Sequence, residues 1–208
     1  MRGVRRGAVA VGLVHVLLAA LALGAVAVWG TGADPARVGL RVTLPDPDPR
    51  LPVNADELAI VRPPGTLVLD TTKERRGAWL AAVLPAKEAD LLGAAGVVDA
   101  KALVARDGDF SAGVWQFAVR DGVDPRRALR AADDLYGAGG WRRAPSQYRG
   151  LLVREQERGP GRPLAAYRAH YVLGRYLIRV EAYGPDQAVV DREFAALTGR
   201  QLAERPPR

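Results

Sequence analysis

The chain has 208 residues, and its 30 basic and 23 acidic side chains give a formal charge of +7. The basic excess outside the first six residues is spread thinly without a basic block, which argues against nucleic-acid binding. No cysteine is present, which excludes disulfides, thiolate metal sites, thiol nucleophiles and attachment of a lipid through cysteine.

The first predicted element is a transmembrane helix over residues 7–30, in which His15 is the one polar side chain. A helix of this length spans roughly 36 Å, enough to cross a hydrocarbon core of about 30 Å. The apolar part of a cleavable signal peptide has only about 7–15 residues. The length therefore favours a retained signal anchor, while the A-x-A pattern at 25–27 keeps cleavage open as the alternative.

Charges at the ends of this run predict its orientation. Arg2, Arg5 and Arg6 lie in the basic segment 1–6, and the first acidic residue after the run is Asp34. The positive-inside bias places the N-terminus in the cytoplasm. We therefore expect a single-pass protein of the cell membrane with an extracytoplasmic C-terminal domain.

Residues 31–64 are predicted to connect the membrane helix to this domain. Alternating apolar side chains over 38–44 indicate a short strand, and the proline-rich stretch 45–52 favours an extended, stiff backbone. Asp46 and Asp48 lack the glycine turn and distal glutamate of a calcium loop, so no metal site is expected there.

Residues 65–208 are predicted to form one α+β domain. Its first half is predicted to mix short strands and helical turns. A strand at 67–69 is followed by a helix that begins after a capping box at Thr71 and Glu74, and by a helical segment at 86–92. Strands at 97–105 and 113–119 then flank a turn at 107–109.

The clearest helix is predicted over residues 124–137. Asp124 is its expected N-cap, Pro125 suits the first helical position, and Gly137 is the expected stop. Leu135 and Tyr136 belong to its apolar face. The next stretch, to 143, is expected to be a loop.

A hairpin and a final helix complete the predicted domain. The hairpin joins strands 164–172 and 175–183 through a turn at Leu173 and Gly174, and a further strand begins at 151–154. The helix starts at Pro185 and Asp186 and buries Val190, Phe194 and Leu197. Gly199 is expected to fray it, and Pro206 and Pro207 are expected to end it. The element order predicts a mainly antiparallel β-sheet packed with helices, in which strand–strand–helix halves are repeated.

One face of the hairpin carries a candidate anion site. With the turn at 173–174, Arg168 lies opposite Arg179, and His170 and Arg175 project from the same face. Guanidinium forks bind phosphate and carboxylate in bidentate fashion. The alternative is a solvated face on which Glu181 neutralises the arginines.

Motifs for catalysis do not stand out in the sequence. The two histidines are His15, within the apolar run, and His170, and neither a P-loop, a dinucleotide fingerprint nor a nucleophile elbow is present. We assign no catalytic residue, cofactor or metal, and whether the chain is an enzyme stays open.

The layout of arginine-flanked anchor, proline-rich connection and α+β domain resembles uncharacterised single-pass, membrane-anchored extracytoplasmic proteins of GC-rich bacteria. It is also similar to the sensor domains of some bacterial receptor kinases. The resemblance implies an envelope domain that binds a ligand, an anionic polymer or an envelope protein. A scaffolding membrane subunit is the alternative, and an envelope hydrolase is a third hypothesis.

Overall fold

The computed structural model describes residues 58–72 and 80–207. The predicted membrane helix, the strand at 38–44, the proline-rich stretch and Glu74 of the capping box lie outside these ranges. Within them, every helix is too short or too polar to span a bilayer.

In the part of the chain that the structure describes, seven strands form one sheet in which every neighbouring pair is antiparallel. The spatial order is β1-β2-β3-β7-β6-β5-β4, so β3 and β7 are central. In chain order the strands are β1 (Thr66–Asp70), β2 (Val97–Asp107), β3 (Phe110–Val119), β4 (Arg142–Ala144), β5 (Leu152–Gln156), β6 (Ala165–Leu173) and β7 (Tyr176–Gly184).

Helices cover both faces of the sheet. They are α1 (Leu80–Val83), α2 (Ala86–Ala94), α3 (Arg126–Ala138) and α4 (Gln187–Glu204). Helix α4 packs on one face, and α1, α2 and α3 pack on the other. The predicted α+β class with an antiparallel sheet and packed helices is confirmed. The two strand–strand–helix units share an element order, but their helices lie on opposite faces of the sheet.

Strand β7 shows why both faces are covered. Ile178 and Val180 point into the core beneath α4, while Leu177 and Arg179 point toward α2 and α3. A strand buried on both sides reads as a nearly continuous apolar run, as YLIRVEAYG does. Arg179 and Glu181 are the two charged residues in that run, and both are buried.

The extended segment at Ala59 and Val61, within the predicted connection, is buried against the α4 face. Gln201 of α4 holds it, because its Nε2 donates to the Ala59 carbonyl at 2.8 Å and its Oε1 accepts from the Val61 amide at 2.9 Å. Gln116 of β3 accepts from the Ala59 amide at 2.7 Å. Side chains thus provide the hydrogen bonds for these backbone groups, which are not part of a strand.

Helix α3 begins one residue later than predicted and also ends later. Pro125 occupies the N-cap position in place of Asp124, whose carboxylate accepts from the Arg126 amide at 2.9 Å. At the other end, Trp141 N donates to the Tyr136 carbonyl and Gly140 N to the Gly137 carbonyl, the Schellman pattern. Gly140, with φ of +79°, is therefore the stop, and the prediction of Gly137 is wrong.

Two further expectations were wrong in part. Gly199 does not fray helix α4, because Leu202, beyond that glycine, is still buried in the core, and the helix ends at Glu204, close to the predicted end at Pro206 and Pro207. The stretch at 136–143 was expected to be a helix stop followed by a loop; α3 does stop there, but the last two residues belong to β4, which pairs with β5. A three-residue strand is too short to leave a periodic signal in sequence.

Candidate functional site

A charged cluster lies inside the protein, between the sheet and helices α2 and α3. Strands β3, β6 and β7 contribute one wall, and the two helices contribute the other. Its members are polar or aromatic side chains that the fold withdraws from water: Glu88, Trp115, Tyr136, Arg168, His170, Arg179, Glu181 and Tyr183.

Arg179 is the centre of the cluster and is 1% exposed. Its Nε donates to His170 Nε2 at 3.0 Å, and its Nη2 forms an ion pair with the Glu88 carboxylate. The guanidinium carbon also lies 4.9 Å from the centre of the Phe117 ring. An uncompensated buried charge costs several kcal/mol, so these contacts are what allow an arginine here.

Glu88 projects from α2 toward the sheet. Burial by itself would raise its pKa, but Arg179 and Arg168 together with the hydrogen bond from Tyr136 hold that pKa below its usual value. Burial raises the pKa of Tyr136, so its hydroxyl stays protonated and donates to Glu88. The ionised carboxylate is thus matched by a cation and a neutral donor.

Arg168 lies on the same face of the sheet as Arg179. Its Nε donates to the Tyr183 hydroxyl at 2.7 Å and lies 3.1 Å from the Glu181 carboxylate. Its guanidinium carbon lies 4.4 Å from the Tyr136 ring centre and 5.0 Å from that of Trp141. Aromatic faces attract a cation most strongly where water is excluded.

Glu181 completes the charge balance. It accepts from Trp115 Nε1 at 2.8 Å and from the Tyr183 hydroxyl at 2.7 Å, besides its contact with Arg168. The cluster therefore contains two guanidinium groups and two carboxyl groups, and their formal charges cancel. The guanidinium groups belong to Arg168 and Arg179, and the carboxyl groups belong to Glu88 and Glu181.

His170 is neutral in this setting. Burial, together with the positive charges of Arg179 and Arg168, holds its pKa well below the ordinary 6.5. Because Nε2 accepts from Arg179, the ring proton belongs on Nδ1. The imidazole is 1% exposed and stacks on Tyr136 with ring centres 5.5 Å apart.

Three of the four residues predicted for the anion site come together, and the fourth does not. Arg168, His170 and Arg179 share the charged cluster. Arg175 lies in the exposed hairpin turn and pairs with Asp121 at 2.8 Å. The expected solvated face is wrong for this hairpin, because α2 and α3 cover it.

The predicted hairpin register is wrong by two residues. Arg168 faces Glu181 and His170 faces Arg179, where the sequence had predicted Arg168 opposite Arg179. The two-residue turn is formed by Gly174 and Arg175, with glycine at the first position and φ of +57°. The assignment of residues to faces survives, because side chains alternate with a period of two.

Sequence reasoning missed the partners contributed by other elements. Glu88, Tyr136 and Trp115 come from α2, α3 and β3, and their meeting with Arg179 depends on how the helices pack. One signal was available: Glu88 lies beside Ala89 and one helical turn before Leu92, on the same side of the helix as these apolar residues. A carboxylate there requires a cationic partner.

Two buried donors border the cluster without an acceptor among the described residues. They are Trp141 Nε1 and Gln156 Nε2, and the two side chains are 6% and 4% exposed. Buried donors are rarely left without an acceptor in folded proteins. No group of three or more potential metal-ligating side chains occurs in the described ranges.

No protein-family model and no curated protein matches the chain. Among solved structures, the extracellular domain of PknH from Mycobacterium tuberculosis is similar to 68% of this chain, over 80% of that domain. The two share 12% sequence identity with a TM-score of 0.33.

Proposed function

We propose that the chain is a membrane-anchored, extracytoplasmic binding domain of the cell envelope. The observation that carries this proposal is that the buried histidine and carboxylates, the side chains that most often catalyse hydrolysis, are bonded to other side chains of the same domain. His170 is neutral, buried and bonded to Arg179, and the carboxylates of Glu88 and Glu181 are bonded to cations and neutral donors. These contacts favour recognition over catalysis, because a general base must reach the proton that it abstracts.

The arginine-flanked apolar run supports the membrane anchor and its orientation. A retained helix at 7–30 would hold the folded domain at the outer surface of the membrane. An envelope protein or an anionic ligand is the proposed partner. Of the predicted anion-site residues, Arg168 is the one in the cluster whose side chain is appreciably exposed, at 14%.

Protease accessibility tests the proposed location. The full chain is expressed in a bacterium, and protease is added to spheroplasts with intact membranes. We expect the C-terminal domain to be degraded while a cytoplasmic reporter survives. A matched variant with Arg2, Arg5 and Arg6 replaced by glutamate should weaken or invert the orientation and protect the domain. Protection of the unmodified chain would contradict the proposal.

Partner capture separates the binding domain from the scaffolding alternative. The full chain and a variant with residues 7–30 replaced by an unrelated membrane helix are crosslinked in cells, and their partners are compared. A binding domain should keep its partner in both, because recognition resides outside the membrane. Loss of the partner in the replaced chain would assign recognition to the helix instead.

A further inference from the structure

Two glutamates share one arginine at the edge of the sheet. Glu155 of β5 lies opposite Arg142 of the edge strand β4. Arg142 Nη2 lies 3.1 Å from Glu155 Oε1, and the same nitrogen forms an ion pair with Oε1 of Glu157, two residues further along the chain. Both carboxylates therefore approach one nitrogen, which makes the two carboxyl groups close neighbours.

Other side chains surround Glu155 on the face of the sheet that α4 covers. Tyr167 of β6 lies opposite Glu155 in the ladder and is 3% exposed. Gln187 Nε2 of α4 donates to the Tyr167 hydroxyl at 3.2 Å and to Asp191 Oδ1 at 2.6 Å. The charged and titratable groups that face Glu155 from these elements are a cation, two carboxylates and a hydroxyl: Arg142, Glu157, Asp191 and Tyr167.

The charges of these groups do not balance. Three carboxyl groups face a single guanidinium, so full ionisation leaves two uncompensated negative charges among them. The Glu155 side chain is 6% exposed, against 31% for that of Glu157, so Glu155 is the member that water stabilises least. Burial, together with the charges of Glu157 and Asp191, raises the pKa of Glu155, although Arg142 opposes the rise.

We propose that Glu155 and Glu157 form a proton-binding pair that fastens the β4 edge of the sheet in acid and loosens it as pH rises. Glu155 retains the proton, while Glu157 stays ionised and bonded to Arg142. Loss of that proton places a second negative charge on one guanidinium and weakens the contact that joins β4 to β5 and to the segment after it. Strand β4 has three residues and one neighbour in the described sheet, so it is easily released.

This inference concerns regulation and goes beyond the proposed binding function. In the proposed extracytoplasmic location, the pair couples the sheet edge to the pH outside the membrane. The titration of the pair itself does not depend on that location, because every group that sets it belongs to the folded domain.

Protonation of Glu155 stabilises the fold in acid. In the unfolded chain its pKa is near the ordinary 4.5, and in the folded chain that pKa is higher. The stabilisation from this group is therefore complete below about pH 4.5 and is lost as pH rises through the folded pKa. His170 acts in the opposite direction, because its pKa is lowered. A local measurement at β4 separates the two effects.

Carboxyl resonances follow the proton directly. The full chain, labelled with ¹³C at the glutamate side-chain carboxyl, is held in a non-ionic detergent and titrated from neutral to acidic pH. The signal that is lost in Glu155→Gln belongs to Glu155, and we expect it to titrate above 4.5. Glu157→Gln should lower that titration, because a neutral neighbour no longer repels the ionised form. Glu193→Gln is the control and should leave it unchanged, since Glu193 pairs with Arg192.

Hydrogen exchange measures the state of the edge. Exchange of the β4 amides, corrected for the intrinsic rate at each pH, is compared at pH 7 and pH 5. We expect β4 to open more readily at pH 7, by up to about tenfold per pH unit for one proton. Glu155→Gln should exchange slowly at both pH values, because its amide keeps an acceptor for Arg142 but cannot titrate. The amides of β1, at the opposite edge, are the internal control.

Any one of three results would overturn the proposal. A Glu155 signal that titrates at or below 4.5 would mean that Arg142 keeps the carboxylate ionised. A raised titration that Glu157→Gln leaves unchanged would mean that burial alone holds the proton. Equal corrected exchange of β4 at the two pH values would mean that the edge does not respond.

Two features keep the test decisive. If Glu155→Gln does not fold, Glu155→Asp supplies the assignment, because it also removes the labelled glutamate, and the parent chain and Glu157→Gln then decide the question. Protease accessibility and partner capture do not depend on this titration, so failure here is distinguishable from failure of the proposed function.

Discussion

At the scale of single residues, the alternating pattern of the last hairpin predicted which side chains share a face but not what covers that face. Arg168, His170 and Arg179 were correctly grouped, since a period of two survives a two-residue error in register. Their acidic partner on α2, Glu88, could not be predicted, because its approach depends on helix packing rather than on local pattern.

Neutral His170 predicts an acid-sensitive fold. In the unfolded chain its pKa is near 6.5, and in the folded chain it is well below that value. The unfolded state therefore binds the extra proton first. The stabilisation from this group is complete above about pH 6.5 and is lost, by up to about 1.4 kcal/mol per pH unit, as pH falls toward the folded pKa.

Thermal unfolding of the full chain between pH 7 and pH 5 checks this expectation. His170→Gln keeps an acceptor for Arg179 Nε but cannot titrate, so its stability should change less over that range. Glu88 does not contribute to the change between pH 7 and pH 5. Its pKa is lowered in the fold, so the stabilisation that it provides is lost only below about pH 4.5. Equal pH profiles for the two proteins would contradict the assignment.

At the scale of elements, helix starts were easier to predict than helix ends. The Asp186 carboxylate caps α4, and the Asp124 carboxylate accepts from the Arg126 amide at the start of α3, so both bonds are local. The end of α3 was misplaced because three glycines follow within four positions, and only Gly140 has positive φ. Local composition does not say which of several glycines adopts the left-handed conformation.

Two glycine substitutions should have opposite effects. Gly140→Ala forces alanine into a left-handed conformation and should lower the free energy of unfolding by about 1 kcal/mol. Gly93→Ala, in helix α2 with open space around it, should raise that free energy by about 0.5–1 kcal/mol. Urea titration measures both. A loss of stability in both variants would show that the helix ends are not set as described.

At the scale of the whole molecule, one glutamine joins the first and last parts of the described chain. Gln201 contacts Ala59, Val61 and the hydroxyl of Tyr171, so the extended segment, helix α4 and the sheet are linked at one side chain. These contacts span most of the domain in sequence, and they hold the extended segment over one face of the sheet.

Loss of the Gln201 hydrogen bonds should lower the stability of the domain strongly. Gln201→Leu leaves the Ala59 carbonyl and the Val61 amide buried without a partner and should lower the free energy of unfolding by about 2–4 kcal/mol. Limited proteolysis should then cut first near residues 58–65. Thr198→Val is the control one helical turn earlier: its buried hydroxyl has no partner in the described ranges, so the change should be neutral or stabilising by up to about 1 kcal/mol. Equal losses in both variants would refute the role of Gln201.

The sequence by itself determined the α+β class, most element positions and the faces of the hairpin, because periodicity, caps and turns act over a few residues. The absence of cysteine also excluded whole classes of chemistry. Only the tertiary structure decided that helices cover both faces, that Glu88 meets Arg179, and that Trp141 lies beside Arg168. Those relations join residues far apart in sequence, and packing of the helices against the sheet creates them.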